Sequence, residues 1–279
     1  MTTILFPTIT FIGGGNMASS LIGGLIADGC PANNITVAEP DTEKLAQLHQ
    51  AFGVHTHTDN NMAAASAQVI MLAVKPQIMQ SVCCKLANTI QQKKPLIISI
   101  AAGIRTRDMD RWLGNNNAIV RCMPNTPALL RCGATGLFAN NQVDAKWRDI
   151  AQRILSSAGL TLWVEKENLI DVVTAVSGSG PAYFFLLMES MIAAGEKLGL
   201  EARTAQQLTL QTALGAARMA QESDVDTATL RARVTSKGGT TEAAIKHFQQ
   251  NHFEQLVKDA LAAASHRAGE LADILGKDS

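Results

Sequence analysis

An excess of charge of either sign is missing from this sequence. Its 24 Lys and Arg balance 24 Asp and Glu, giving a formal net charge of +0. A chain that grips nucleic acid carries a basic surplus, so no nucleic-acid partner is expected. Cysteines are few: Cys30, Cys83, Cys84, Cys122 and Cys132, an odd number without CxxC spacing. That pattern excludes a disulfide framework and a zinc knuckle, so no metal is expected, and a reducing cytoplasm is the simplest setting. No segment is read as a membrane span. The opening Met1-Thr2-Thr3 lacks the basic start of a signal peptide, and none is expected. Charged residues make up 17% and hydrophobic ones 47%, which rules out global disorder. At roughly 150 residues per domain, the 279 residues fit two domains of an enzyme-sized protein.

The grammar of the chain changes near residue 164. Up to there, short apolar runs at 9–12, 35–38, 69–72, 96–100 and 118–122 alternate with helical spacing, as over 17–27 and 43–52. Strands apolar at nearly every position, alternating with helices, predict a doubly wound parallel α/β sheet covered on both faces. Runs at 134–138 and 160–164 extend it. Residues 165–279 read as all-α, with helices predicted over 167–176, 181–198, 202–220, 228–234, 242–249 and 253–275. Pro181 follows Ser177-Gly178-Ser179-Gly180, as proline does in a first helical turn. Residues 182–194 are apolar nearly all round, which demands burial on every face. About 115 residues can hardly enclose such a helix alone, so a subunit interface is predicted, with an ordinary core helix as the plainer alternative.

The first strand runs into Gly13-Gly14-Gly15-Asn16-Met17-Ala18. Gly13-x-Gly15-x-x-Ala18 matches the dinucleotide fingerprint with Ala in the last place. Gly13 permits the tight turn, Gly15 lets the backbone approach a pyrophosphate, and Ala18 lets helix pack on strand. The N–H groups of the helix opening at Asn16 and Met17 are left to hold the anion. Glu39 follows the second strand, 26 residues after Gly13 (39 − 13). An acid near that spacing accepts from the adenosine 2′-hydroxyl and repels a 2′-phosphate, which leans towards NAD; a solvated turn glutamate before Pro40 is the alternative. Ala73-Val74-Lys75-Pro76 closes the third predicted strand at the end that faces the ligand crevice. Arg121-Cys122-Met123-Pro124-Asn125-Thr126-Pro127 closes the fifth, its prolines stiffening the turn. Further on, Ser236-Lys237-Gly238-Gly239-Thr240-Thr241 opens an amphipathic helix, where amides, hydroxyls and the positive end of the dipole suit a small carboxylate.

Five blocks in this order (13–18, 73–76, 123–127, 177–183 and 236–241) resemble pyrroline-5-carboxylate reductase over nearly the whole chain. The resemblance implies an N-terminal Rossmann domain over 1–164 and a helical dimerisation and substrate domain over 165–279. It implies a homodimer through that domain, with rings of dimers also found in the family. It implies hydride transfer from NAD(P)H to the imine carbon of 1-pyrroline-5-carboxylate, giving L-proline. Family habit favours NADPH, whereas Glu39 stands where many members carry a small hydroxyl residue, so NADH stays open. Carried over by position, Asn60, the loop Ala73, Val74, Lys75 and Pro76, and Ala101 border the nicotinamide ribose. Ser236, Gly238, Gly239, Thr240 and Thr241 hold the substrate, with Val234 packing on its ring and Thr241 closest to the chemistry. The six histidines are read as surface residues and the cysteines as buried small hydrophobes. A β-hydroxyacid dehydrogenase or imine reductase would share the glycine turn but need a lysine in a different motif. A dinucleotide-sensing regulator would not need the anion pocket.

Overall fold

A computed structural model describes residues 6–277, so Met1-Thr2-Thr3 lies outside it. The described residues form two compact units, one of residues 6–179 with 263–277 and one of residues 180–262. In the first unit β1 (Ile9–Ile12), α1 (Asn16–Ala27), β2 (Ile35–Ala38), α2 (Thr42–Phe52), β3 (His55–His57) and α3 (Asn60–Ala64) lead to β4 (Val69–Leu72). There follow α4 (Pro76–Lys93), β5 (Leu96–Ser99), α5 (Thr106–Trp112), β6 (Ile119–Met123), β7 (Gly133–Ala139), α6 (Ala145–Ser156), β8 (Gly159–Trp163) and α7 (Leu169–Val173). A π-helical turn, Thr174–Gly178, follows α7.

The strands form one eight-stranded sheet in the order β3-β2-β1-β4-β5-β6-β7-β8. Alternate residues of a strand face opposite sides, and Val69 and Met71 join one core while Ile70 and Leu72 join another. The first is completed by α1 (Leu21, Ile22, Leu25) and α6 (Ile154, Leu155), the second by α4 (Met79, Cys83, Leu86) and α5 (Met109, Trp112). Double coverage explains why β4 is apolar throughout and β1 at all but Thr10, whose buried hydroxyl donates to Ala63 O at 2.9 Å.

The sheet is parallel with one exception: β7 runs antiparallel to β6. The connection 124–132 is too short for the crossover that a parallel partner needs. The sheet also gains a strand absent from the sequence expectation, β3, whose His55-Thr56-His57 pairs parallel with β2 at the sheet edge. With little apolar side chain, it carries no strand signal.

The second unit contains α8 (Gly180–Lys197), α9 (Ala202–Glu222), α10 (Thr227–Arg233), α11 (Thr240–Gln250) and the start of α12 (Phe253–Leu275), whose last turns belong to the first unit. Among the described residues of α8 only Gly180 is buried. Phe184, Phe185 and Leu186 stand more than 60% exposed.

Two segments qualify the reading of no membrane span. Residues 1–27 carry no charged side chain, yet from residue 6 on they break into β1, a glycine turn and α1. The helical stretch Leu169–Lys197 is long and apolar enough to cross a membrane by length and composition; the π turn interrupts it.

Candidate active site

Chain order reverses direction across the sheet between β1 and β4, because β2 and β3 lie on one side of β1 and β5 and β6 on the other. Ligands of such sheets bind outside the strand C-termini at this reversal, and the fingerprint turn lies there. Gly13 adopts φ +102° and donates its N–H to Ala38 O at 2.8 Å. A Cβ on Gly13 would stand 2.6 Å from Ala73 O and 3.2 Å from Val74 Cγ1. The turn and the Ala73-Val74 segment are therefore in contact. Gly14 donates to Glu39 Oε2 at 2.9 Å, which draws the acid onto the turn. Beside it, Lys44 pairs with Asp41 at 3.7 Å.

Gly15 caps α1 without any side-chain hydrogen bond, and a Cβ there would meet nothing within 4 Å. Asn16 is exposed and Met17 half-buried, while Ala18 is buried against the core. An uncapped helix start with open space before it is what an anionic pyrophosphate fits. Of the other expected nucleotide contacts, Asn60 opens α3 and is half-buried, and Lys75 caps α4 with Pro76 in its first turn, its side chain exposed. Ala101 follows β5, is only 5% exposed, and donates to Ser99 Oγ at 3.3 Å.

In the second unit Val234 closes α10 and is 60% exposed. Ser236 is exposed, and its carbonyl accepts from Gly239 N at 3.0 Å. Gly239 caps α11 without a side-chain hydrogen bond, placing Thr240 and the half-buried Thr241 in the first turn. The amides here are not all free. Gly238 donates its N–H to Glu242 Oε2 at 2.7 Å, and Glu242 also pairs with Lys246 at 3.1 Å. The Gly238 bond holds the Glu242 carboxyl below its ordinary range, and Lys246 adds to the effect. A resident carboxylate thus occupies part of the helix start expected to receive the substrate's. The first-turn amides of Thr240 and Thr241 are the better candidates.

Sequence reasoning missed a buried ionic cluster. Arg121, 2% exposed on β6, meets Asp171 at 3.0 Å and Glu167 at 3.5 Å. Glu167 also accepts from Thr106 N at 2.7 Å and Thr106 Oγ1 at 2.9 Å. Arg121 was visible only as one charge in an apolar strand. Asn125, in the proline-flanked loop, accepts from Ala134 N at 2.8 Å and donates to Ser177 O at 3.0 Å, joining two motifs far apart in sequence.

No group of three or more His, Cys, Asp or Glu residues suited to a metal occurs among the described residues. Five histidines are exposed and His57 is half-buried. The cysteines divide instead of all being buried: Cys30, Cys83 and Cys122 are, whereas Cys84 and Cys132 are exposed. Burial pushes the Cys30 thiol up to about 11 and, helped by Cys84, the Cys83 thiol up to about 12, so neither is a ready nucleophile.

The family model described as "Pyrroline-5-carboxylate reductase dimerisation" matches residues 167–271, and "NADP oxidoreductase coenzyme F420-dependent" matches residues 8–103. The pyrroline-5-carboxylate reductase of Pseudomonas aeruginosa is 56% identical over 271 residues, 97% of this chain and 99% of that protein. A solved pyrroline-5-carboxylate reductase from Coxiella burnetii superposes with a TM-score of 0.93 at 47% identity, covering 96% of this chain and 99% of its own. The Plasmodium falciparum pyrroline carboxylate reductase with NADP bound gives 0.83 at 30% identity, covering 95% and 98%.

Proposed function

The chain belongs to the pyrroline-5-carboxylate reductase family, and from that membership we propose that it reduces 1-pyrroline-5-carboxylate to L-proline, the last step of proline biosynthesis. It is an NAD(P)H-dependent oxidoreductase acting on a cyclic C=N bond. The observation that carries the reading is the glycine turn at the strand-order reversal: Gly13 is tied to Ala38, Glu39 is drawn onto Gly14, and an uncapped helix start lies open beyond.

Reduced nicotinamide supplies the hydride; the protein's residues position the reactants. Gly13 makes the tight turn, its N–H spent on Ala38 O, while Gly15, Asn16 and Met17 would hold the pyrophosphate through backbone amides. Glu39, Asn60, Ala73, Val74, Lys75, Pro76 and Ala101 border the riboses and nicotinamide. Ser236, Gly239, Thr240 and Thr241 hold the substrate's carboxylate and ring nitrogen, with Val234 against the ring. Gly238 acts indirectly by fixing Glu242. The imine enters protonated, and its carbon accepts hydride readily, so orientation carries the rate enhancement. No histidine is required.

Both reduced nucleotides serve in this reading. The family habit is NADPH, and Glu39 places a carboxylate near the turn, where a 2′-hydroxyl is welcome and a 2′-phosphate is not. The residues 165–279 act as dimerisation and substrate region of a cytoplasmic homodimer, with a ring of dimers as the larger assembly. The exposed apolar surface of α8 supports the dimer. The test follows NADPH and NADH absorbance separately with racemic pyrroline-5-carboxylate, beside a sizing column. Substrate-dependent oxidation of nucleotide is expected, and its absence with both donors overturns the function.

A further inference from the structure

The last strand of the sheet leaves two leucines uncovered on a face that should be closed. On β8, Thr161 turns towards α6, where its Oγ1 lies 2.8 Å from Ser156 Oγ. Trp163 packs against the same core and donates Nε1 to Gln152 Oε1 at 2.9 Å. Leu160 and Leu162 therefore point to the opposite face. There α7 lies close on β7, because Ala134 and Gly136, the residues in register with Leu160 and Leu162, are small. A Cβ on Gly136 would come within 2.6 Å of Val173 Cγ1. With α7 seated on β7, Leu160 and Leu162 remain 59% and 60% exposed. Beside them on the helical side stand Val172 and Val176, 45% and 56% exposed. Together they line an open groove of about 560 Å³ with no ionisable side chain.

We propose that this groove is filled by a second copy of the same chain, so that the dimer contact reaches beyond the helical region onto the face of the sheet at β8. Parallel sheets in α/β domains are covered on both faces, and a contiguous apolar patch left open marks an interface. The occupant follows from continuity. Leu169, Val172 and Val176 fall inside the stretch 167–271 matched by the dimerisation model, whereas Leu160 and Leu162 lie before it; helix and strand line one groove. Absence of charge disfavours an anionic ligand. The chain itself supplies a matching surface, the exposed Phe184, Phe185 and Leu186 of α8.

The inference rests on the dimer proposed above, and wild-type sedimentation velocity tests that dimer first: a monomer at all concentrations overturns both. With a dimer in hand, Leu160→Glu combined with Leu162→Glu is expected to raise its dissociation constant at least about 100-fold, since two buried leucines become charged. A wild-type constant overturns the inference and leaves the dimer standing. Should the double variant fail to fold, a photo-crosslinking amino acid at position 162 decides. Irradiation is expected to give a product of dimer mass. Crosslinks only within one chain, or none, show that a second copy does not fill the groove.

Discussion

Glu39 sets two demands against each other. Its Oε2 accepts from Gly14 N, so the carboxylate is fixed at the nucleotide turn, and the nearby Lys44 is engaged with Asp41. Glu39→Ser removes the carboxylate and is expected to raise the NADPH-to-NADH ratio of kcat/KM by about tenfold, the scale of one charge contact. An unchanged ratio in steady-state kinetics would show that Glu39 does not face the 2′ position. At the other half of the chemistry, Thr241→Ala is expected to lower kcat/KM by about 10- to 100-fold, as for a lost hydrogen bond of about 1–3 kcal/mol. Wild-type kinetics would remove Thr241 from the mechanism. Glu242 was read from the sequence only as part of an amphipathic helix. Its bond to Gly238 appears once the turn is folded, because a side chain four residues along reaches back over a helix start. Glu242→Gln takes a negative charge from the carboxylate's path and is expected to lower KM for pyrroline-5-carboxylate about two- to fivefold with kcat unchanged, the size of a helix-terminus charge effect. A raised KM would mean that Glu242 helps build the pocket.

The strands β1, β2 and β4 were legible to the residue because burial on both faces leaves β-rich runs, apolar but for Thr10 and Thr36, between glycines and polar turns. Parallel direction was legible too, from buried runs alternating with helices, and fails only where β7 turns antiparallel to β6, because the 124–132 connection is too short for a crossover. The shift in pattern near residue 164 marks the end of β8, while the compact units part at residue 179. Arg121 accounts for the interval: it meets Glu167 and Asp171, 46 and 50 residues further on, and holds α7 to the sheet. Pairing over such distances leaves no periodic trace in a sequence. Arg121→Met strands Asp171 and Glu167 without their cation. It is expected to cost about 3–5 kcal/mol in denaturant unfolding at neutral pH and fixed protein concentration. A loss below about 1 kcal/mol would show that water or another cation already serves these carboxylates.

Taken as an entire chain, the protein exposes apolar residues along α8, on α9 at Leu208 and Leu214, and on β8. A lone chain of this composition would be sticky, and self-association covers such surface. The residues proposed to hold the nucleotide fall in one compact unit and those proposed to hold the substrate in the other, yet hydride transfer demands direct approach of nicotinamide to imine carbon. The decisive measurement uses reduced nucleotide carrying deuterium at the transferable position of nicotinamide C4, with pyrroline-5-carboxylate in ordinary water. Mass spectrometry of the product is predicted to show L-proline with a single deuterium at C5. Proline formed without deuterium, its hydrogen drawn from solvent, would contradict direct transfer and with it the account of the site.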